Sequence, residues 1–203
     1  MKLVIVDYGM GNIKSIFSSL QYLGISDIRL SDDFSVMSAA DKLILPGVGS
    51  FGIAMSRIKE KRLDRSIQQL VIEGRKPILG ICLGMQLMGK SSNEDGLNDG
   101  LGLVDALVRK FDTTNLKIPH VGFNQVHTIY GSRLYSGLKT NPYFYFTHSY
   151  RMTGGSNINQ SLCNYGEQFI ASFEENNVAG VQFHPELSQT NGLQLLSNFI
   201  NKF

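Results

Sequence analysis

The chain has 203 residues and a formal net charge of +2 at pH 7. Hydrophobic residues make up 42% of it and charged residues 18%, which is typical of a globular protein and excludes a disordered one. Since the charge is balanced and no basic stripe is interleaved with aromatic residues, we expect no nucleic-acid partner. No apolar run approaches the length of a membrane span, so we expect no membrane partner either.

The N-terminus and the cysteines indicate the compartment. The first apolar run holds only four residues before Asp7, which is typical of a strand and not of a signal peptide. Two cysteines, Cys82 and Cys163, are too few for a disulfide scaffold in a chain of this size. We therefore expect reduced thiols and a cytoplasmic protein.

The first half of the chain alternates between predicted strands and predicted helices. In chain order these are a strand at 2–6, a helix at 13–24, strands at 27–31 and 41–52 (the latter running into a glycine loop), an amphipathic helix in one or two pieces at 53–74, and a strand, tight turn and helix at 76–91. This alternation, with uninterrupted apolar strands, predicts a parallel sheet covered by helices on both faces.

The second half has a different pattern. Short strand-like runs separated by turns follow residue 100, residues 153–161 resemble an exposed loop, and an amphipathic helix at 192–203 comes last. No linker or repeat separates the halves. We therefore predict one α/β domain over 1–203, with a mostly parallel central sheet flanked by helices and an added antiparallel, strand-rich C-terminal half.

Residues 80–84, Gly-Ile-Cys-Leu-Gly, have the form of a nucleophile elbow at a strand-to-helix junction. The nucleophile of such an elbow sits in a strained turn, where a Cβ on either flanking residue would crowd the neighbouring strand and helix. Cys82 would then lie near a helix N-terminus, which favours a thiolate, and the Leu83 N–H would be free to bind an oxyanion. The alternative is a buried structural cysteine between packing glycines.

A thiol nucleophile also needs a base and a group that orients the base. His184 lies at the end of an apolar strand with Glu186 two residues later, and in extended chain such positions face the same way, so the carboxylate would reach the imidazole. His-Pro-Glu alone is typical of an ordinary turn. Together with the elbow, in this order, it indicates a cysteine enzyme. His120 and His127, in a strand-rich region, are more typical of packing residues.

The elbow and the His-Pro-Glu motif resemble those of the class I (triad) glutamine amidotransferases. The segments DYGMGN, PGVGSF and PHVGFN resemble one branch of that family in particular, the glutaminase subunits of imidazole glycerol phosphate synthase. The likeness runs over nearly the whole chain and implies a flavodoxin-like fold. It implies a glutaminase that supplies ammonia for imidazole glycerol phosphate and AICAR in histidine biosynthesis.

The resemblance also implies roles for single residues. Cys82 would attack the side-chain amide of glutamine to form a thioester, His184 would act as base and then acid, and Glu186 would orient it. The oxyanion would be bound by Leu83 and by the backbone near Gly49. The positions that match glutamine-binding residues of the family are Gly47, Gln86, Glu94, Ser149 and Tyr150. For the polar ones the alternative is an ordinary surface residue.

The family partner is a cyclase of the (β/α)8-barrel type in a heterodimer, and the matching interface positions are Asn12, Phe123, Asn124 and Leu187. Two segments depart from the histidine-pathway pattern. Val121 and Phe123 stand where Met and Trp are usual, and Leu187 stands where Lys is usual. Without the lysine charge, this position cannot form an ion pair with a carboxylate of the partner.

Three alternatives remain open from the sequence. They are a paralogous glutaminase that supplies ammonia for surface-sugar amidination, another Cys-His-Glu hydrolase on the same fold, and a binding subunit with a vestigial elbow. The sequence has no metal-ligand spacing and no phosphate loop, so we expect no metal and no cofactor.

Overall fold

A computed structural model of the chain describes residues 1–112, 116–154 and 158–203. Strands and helices alternate in its first half. They are β1 (Lys2–Val6), α1 (Ile13–Tyr22), β2 (Asp27–Ser31), α2 (Phe34–Ser38), β3 (Lys42–Leu45), α3 (Phe51–Glu60), α4 (Leu63–Gln68) with a π-helical turn after it (Gln69–Glu73), β4 (Ile78–Ile81) and α5 (Leu83–Leu87).

The second half consists mainly of strands. They are β5 (Ser91–Ser92), β6 (Asn98–Asp99), β7 (Leu107–Lys110), β8 (His120–His127), β9 (Tyr143–His148), β10 (Tyr150–Thr153), β11 (Ser161–Tyr165), β12 (Glu167–Glu175) and β13 (Val178–Val181), followed by a 3-10 turn (Pro185–Leu187) and α6 (Gln189–Lys202).

Nine strands form one mixed sheet in the order β2-β1-β3-β4-β13-β12-β11-β8-β9. The first five are mutually parallel, and the pairs from β13 to β9 are antiparallel. A second sheet holds β10, β7, β5 and β6. The predicted fold class is confirmed, with one refinement: the parallel half and the antiparallel half share a single sheet.

The uninterrupted apolar strands are explained by two hydrophobic cores, one on each face of the sheet. In β1, Leu3 and Ile5 enter one core, whereas Val4 and Val6 enter the other. Helices α1 and α6 cover the first core, and α3, α4 and α5 cover the second. A parallel strand covered on both faces has no solvent-facing side, which is why the sequence of β1 does not alternate.

Several predicted bounds change. The strand predicted at 41–52 ends at Leu45, where Pro46, which lacks an N–H, follows. The helix predicted at 53–74 begins at Phe51 and is interrupted at Arg62, whose φ is +58°. The helix predicted at 192–203 begins at Gln189. No helix within the described ranges is long and apolar enough to cross a membrane.

Two local features differ from the sequence prediction by more than the position of a boundary. Helix α2 was not predicted; the signal for it is Asp33, whose carboxylate accepts a hydrogen bond from Val36 N at 3.0 Å and caps the helix. The loop predicted at 153–161 falls in part on 155–157, which lie outside the described residues. Beside that gap Ile158 is buried, so the predicted loop is not exposed throughout.

We predict that Gly84→Ala will destabilise the fold by about 3 kcal/mol or more, because a Cβ on Gly84 would lie 1.8 Å from the carbonyl oxygen of Leu45. Urea unfolding measures the change. The control is Gly24→Ala, where φ is +83° but nothing lies within 4 Å of the added Cβ. It should cost only the backbone strain, about 1–2 kcal/mol. Equal costs for the two variants would contradict this account.

Candidate active site

Cys82 lies at the carboxyl end of β4, in the turn that leads into α5. Its φ is +53° and its ψ is −111°, a conformation that costs on the order of 1–3 kcal/mol outside glycine. A Cβ on Gly80 would lie 2.7 Å from the main chain of Met85, and Gly84 packs on Leu45. The two glycines therefore let the helix start close against β3 and β4, as the elbow pattern predicts.

His184 and Glu186 reach this point because β13 pairs with β4. The register places Val181 beside Ile81, and Cys82 N donates to Val181 O at 2.8 Å. His184 Nδ1 lies 2.8 Å from Glu186 Oε1. The sequence predicts this contact between the carboxylate and the imidazole, but the backbone that brings them together is not the predicted one. The strand ends at Val181 and Glu186 stands on the 3-10 turn, so the turn and not an extended strand brings the carboxylate to the imidazole.

The His184 imidazole is buried, and burial disfavours its charged form. The neighbouring Cys82 and Glu186 favour that form more strongly, and the net effect raises the pKa of His184 to about 10. Its Nε2 is buried without a hydrogen-bond partner among the described residues. Since Nδ1 is held by Glu186, Nε2 is the nitrogen left to exchange a proton with the thiol.

A cavity of about 300 Å³ opens in front of Cys82. Six of the residues predicted to act on substrate or oxyanion line it together with the thiol. They are Gly49, Leu83, Gln86, Glu94 and the Ser149–Tyr150 pair. Val48, Pro119, Thr147 and His148 complete the wall. The cavity therefore brings together segments from both halves of the chain.

The carboxylate of Glu94 has a structural contact as well. Its Oε2 accepts a hydrogen bond from Phe51 N at 2.9 Å, at the start of α3. Next to it, Asp95 Oδ2 accepts from Ser50 Oγ at 2.5 Å. Burial raises the pKa of Glu94, although the hydrogen bond from Phe51 opposes this. The pair fixes the C-terminal end of the loop at 46–50.

Gly47 is predicted to bind substrate, but it does not line the cavity. It is buried behind the cavity wall, where a Cβ would lie 2.6 Å from Tyr8 Oη and 2.8 Å from Gly84 N. Close packing explains this glycine, and the cavity lining does not include it. Tyr8 Oη donates to Pro46 O at 2.6 Å and fixes the N-terminal end of the same loop.

Asn12, predicted at the partner interface, also reaches the His–Glu pair. Its Nδ2 donates to Glu186 Oε1 at 3.2 Å, and its own Oδ1 accepts from Ser15 Oγ at 3.0 Å. The glycine loop at 9–12 is therefore connected directly to Glu186. Sequence spacing gave no signal for this contact, since the two residues are 174 positions apart.

Gln182 is a residue of the site that the sequence analysis did not select. It is fully buried, and its Nε2 lies 3.8 Å from Cys82 Sγ. Its Oε1 accepts from Gln86 Nε2 at 2.9 Å. A glutamine inside the otherwise apolar run VAGVQF was the available signal, because a buried amide must find partners.

His120 and His148 form a buried pair beside the cavity. His148 Nδ1 lies 2.8 Å from Tyr150 O and its Nε2 lies 3.1 Å from His120 Nδ1, while His120 Nε2 lies 3.4 Å from Asn124 Nδ2. Burial lowers the pKa of His120 to about 4 and that of His148 to about 3. Both rings are neutral, and the carbonyl of Tyr150 requires the proton of His148 on Nδ1.

Cys163 has a different environment. It is a buried free thiol on β11, in the core that α1 and α6 cover, and it is not part of the cavity wall. Burial raises the pKa of this thiol to about 12. The two thiols therefore lie in different surroundings.

The fold and this site define a class of protein. A family model for class-I glutamine amidotransferases matches residues 4–203, and the chain belongs to that family. The resemblance drawn from the motifs is confirmed.

Relatives narrow the class further. The imidazole glycerol phosphate synthase subunit HisH of Aquifex aeolicus (strain VF5) is 43% identical over 203 residues, covering 100% of this chain and 97% of the relative. The protein of the same name from Escherichia coli (strain K12) is also 43% identical, covering 98% and 99%. A crystal structure of a glutamine amidotransferase shares the fold with a TM-score of 0.75 at 18% identity, covering 97% of this chain and 96% of its own.

We predict that the histidine pair makes the fold acid-sensitive. Unfolded histidine binds a proton near pH 6.5, whereas His120 and His148 stay neutral in the fold down to about pH 4 and 3. The unfolded state then binds more protons, so the free energy of unfolding falls as pH falls below 6.5, by about 1.4 kcal/mol per pH unit for each ring. Urea unfolding of His148→Gln between pH 4.5 and 6.5 should show a slope smaller by that amount. His127→Gln, which changes an exposed ring, is the control, and an unchanged slope in His148→Gln would contradict the assignment.

Proposed function

We propose that this chain is the glutaminase subunit of an imidazole glycerol phosphate synthase. It hydrolyses glutamine to glutamate and ammonia, and a partner subunit uses the ammonia to make imidazole glycerol phosphate and AICAR in histidine biosynthesis. The observation that carries the proposal is the strained thiol of Cys82 at the wall of a cavity, with the His184–Glu186 pair beside it. The names of the relatives support the pathway.

The proposed chemistry has two half-reactions. Because Cys82 and Glu186 raise the pKa of His184, its Nε2 already holds the proton of the thiol, and Cys82 Sγ attacks the amide carbon of the glutamine side chain as the thiolate. His184 then gives that proton to the leaving nitrogen, and ammonia departs as the thioester forms. Water, with its proton taken by the same nitrogen, then attacks the thioester carbon and releases glutamate and the thiol. Glu186, accepting from Nδ1, keeps Nε2 directed at the sulfur and stabilises the imidazolium.

The oxyanion of each tetrahedral intermediate would be bound by the Leu83 N–H. The first N–H groups of α5 have no partner inside the helix, and the positive end of the helix favours negative charge there. A second donor would come from the loop near Gly49. That loop is fixed at Pro46 by Tyr8 and at Phe51 by Glu94, so a reorientation would be confined to residues 47–49.

The amino-acid end of glutamine would be held at the far side of the cavity. Gln86 Nε2 donates to Tyr150 O and to Gln182 Oε1. The side-chain oxygen of Gln86 is therefore left to accept from the substrate ammonium. Glu94 supplies negative charge for the same ammonium. Tyr150 O already accepts from Gln86 and His148, so its carbonyl is not the binding group. Ser149 and the remaining polar groups of Tyr150 are the proposed carboxylate contacts.

The proposed partner surface is an apolar face of the sheet edge. Phe123 and Tyr145 pair across β8 and β9, and their ring centroids are 5.6 Å apart. Exposed Val121 and Tyr143 each lie two positions along the strand from that pair, on the same face, and exposed Leu187 lies on the 3-10 turn that contacts β9. Together these residues form the docking face. Asn12 bonds to Glu186 on the same 3-10 turn as Leu187. Asn124 follows Phe123 in β8, and its side chain lies on the opposite face, bonded to His120 and Asn164 O. Because Leu187 carries no charge, the partner needs an apolar group and not a carboxylate opposite it.

The partner is proposed to be a (β/α)8-barrel cyclase bound as a heterodimer, in the cytoplasm. We also propose that residues 1–203 form one glutamine amidotransferase domain. The continuous nine-stranded sheet supports this, since the strands of both halves pair within it.

The experiment that tests the function is labelling by a glutamine-like alkylating agent, with adducts mapped by mass spectrometry. Cys82 should be modified and Cys163 should not, because Cys163 is buried outside the cavity. Cys82→Ala should abolish glutamine hydrolysis in the complex while leaving the unfolding midpoint nearly unchanged. Glutaminase activity in Cys82→Ala, or labelling of Cys163 with Cys82 unmodified, would refute the assignment.

We further predict that the partner accelerates hydrolysis. If docking orients the second oxyanion donor in the loop at 46–50, the isolated chain should be slower than the complex by about 10²–10³-fold or more. Turnover of glutamine is measured for the chain alone and with saturating cyclase and acceptor substrate. Equal rates would show that the loop needs no partner.

A substitution on the docking face tests whether partner binding, and not folding, controls this rate. Phe123→Asp places a charge on the docking face and should weaken the complex and its rate together, since Phe123 is half exposed and its loss leaves the core intact. Tyr130→Asp is the matched control, because Tyr130 is fully exposed and lies outside the docking face. Comparable loss of partner binding in both variants would place the interface elsewhere.

A further inference from the structure

Cys82 Sγ has a buried side-chain amide as its neighbour on the side of β13. The Nε2 of Gln182 lies 3.8 Å from the sulfur, and Gln182 is completely buried. A second polar group near the sulfur is the carbonyl oxygen of Thr147, at 3.9 Å. A carbonyl accepts from a neutral thiol, whereas an amide N–H donates to a thiolate. The surroundings of the sulfur therefore include a partner for each protonation state.

The orientation of the Gln182 amide is fixed by its other contact. Gln86 Nε2 donates to the Gln182 oxygen at 2.9 Å, and an amide nitrogen cannot take that place because it has no lone pair to accept with. Gln182 Nε2 is thereby directed at the sulfur. Gln86 is itself held by Tyr150 O at 2.9 Å, and that carbonyl also accepts from His148. The donor is built into a chain of buried hydrogen bonds.

We propose that Gln182 binds the Cys82 thiolate and increases the fraction of the thiol that is ionised at neutral pH. A buried N–H with only sulfur to bond is satisfied poorly by a thiol and well by a thiolate, because a charged acceptor makes the stronger hydrogen bond. Gln182 is thus a further residue acting on the nucleophile, separate from the base. The inference rests on the proposed function only in taking Cys82 as the nucleophile.

Other titratable groups lie near the sulfur or line the cavity in front of it. They are His184 from the segment after β13, the Tyr8 hydroxyl from the segment after β1, and His148 and Glu94 from the cavity wall. The start of α5 adds the positive end of a helix. A change confined to Gln182 leaves all of these in place, so its effect on the thiol is separable from theirs.

The test is the pH dependence of Cys82 alkylation by iodoacetamide, with the rate at each pH read from mapped peptides. Gln182→Glu is nearly isosteric and still accepts from Gln86, but it replaces the N–H donor by an oxygen. Its alkylation midpoint should move up by about one pH unit or more, and its rate at pH 7 should fall about tenfold or more. Gln182→Met, which loses the donor without adding a carboxylate, should shift in the same direction by less.

The matched control is Gln68→Glu, the same chemical change at a glutamine whose Nε2 donates to Leu101 O at 2.8 Å, away from the cavity. It should leave the alkylation profile unchanged. A merely structural role for Gln182 would lower the unfolding midpoint of its variants without moving the midpoint of alkylation. An unmoved profile in a folded Gln182→Glu protein overturns the proposal.

A measurement on the unsubstituted chain covers the case in which Gln182 variants fail to fold. The side-chain amide resonance of Gln182 should move as Cys82 ionises, and it should stay constant over the same pH range in Cys82→Ser. A resonance that does not follow the thiol overturns the proposal. Alkylation needs no glutamine, so a chain that shows both effects and yet hydrolyses no glutamine would refute the proposed function and leave this inference standing.

Discussion

The site depends on one interaction, the parallel pairing of β13 with β4. Four residue pairs, from Val178 beside Ile78 to Val181 beside Ile81, set the register. The residues that follow each strand then meet at the same edge of the sheet, so the thiol of Cys82 lies beside the imidazole of His184 and the amide of Gln182. Ligand sites of open α/β sheets lie at this edge, outside the carboxyl ends of the strands. A shift of one residue would turn Gln182 to the opposite face.

The elbow holds the thiol of Cys82 in a strained turn at the wall of the cavity. Close main-chain approaches at Gly80 and Gly84 let α5 start against β3 and β4, and the cysteine between them takes a positive φ that only its surroundings enforce. Strain of this kind persists where packing over-determines the backbone. The same approach places the unpartnered N–H groups of the helix at the thiol, so one packing feature positions both the thiol and the proposed oxyanion donors.

Buried polar groups connect the cavity to the proposed docking face. Asn124 contacts His120, His120 contacts His148, and the Tyr150 carbonyl carries the chain on to the glutamines at the thiol. On the other side, Asn12 binds Glu186. Each group is satisfied by the next, which makes such a network rigid and costly to break in part. A partner that contacts Asn12 would therefore touch the group bonded to the Glu186 carboxylate.

The sequence by itself determined the local features: the alternating elements of the first half, the elbow at Cys82, and the contact between His184 and Glu186. These follow from spacing along the chain, and uninterrupted apolar strands already require cover on both faces. The tertiary structure alone decided the rest. It joined the antiparallel half to the parallel sheet, placed Gly47 outside the cavity lining, and brought Gln182 to Cys82 and Asn12 to Glu186. The reason is physical: strand order and the partners of a buried amide depend on groups far apart in sequence, and no local pattern records which of them meet.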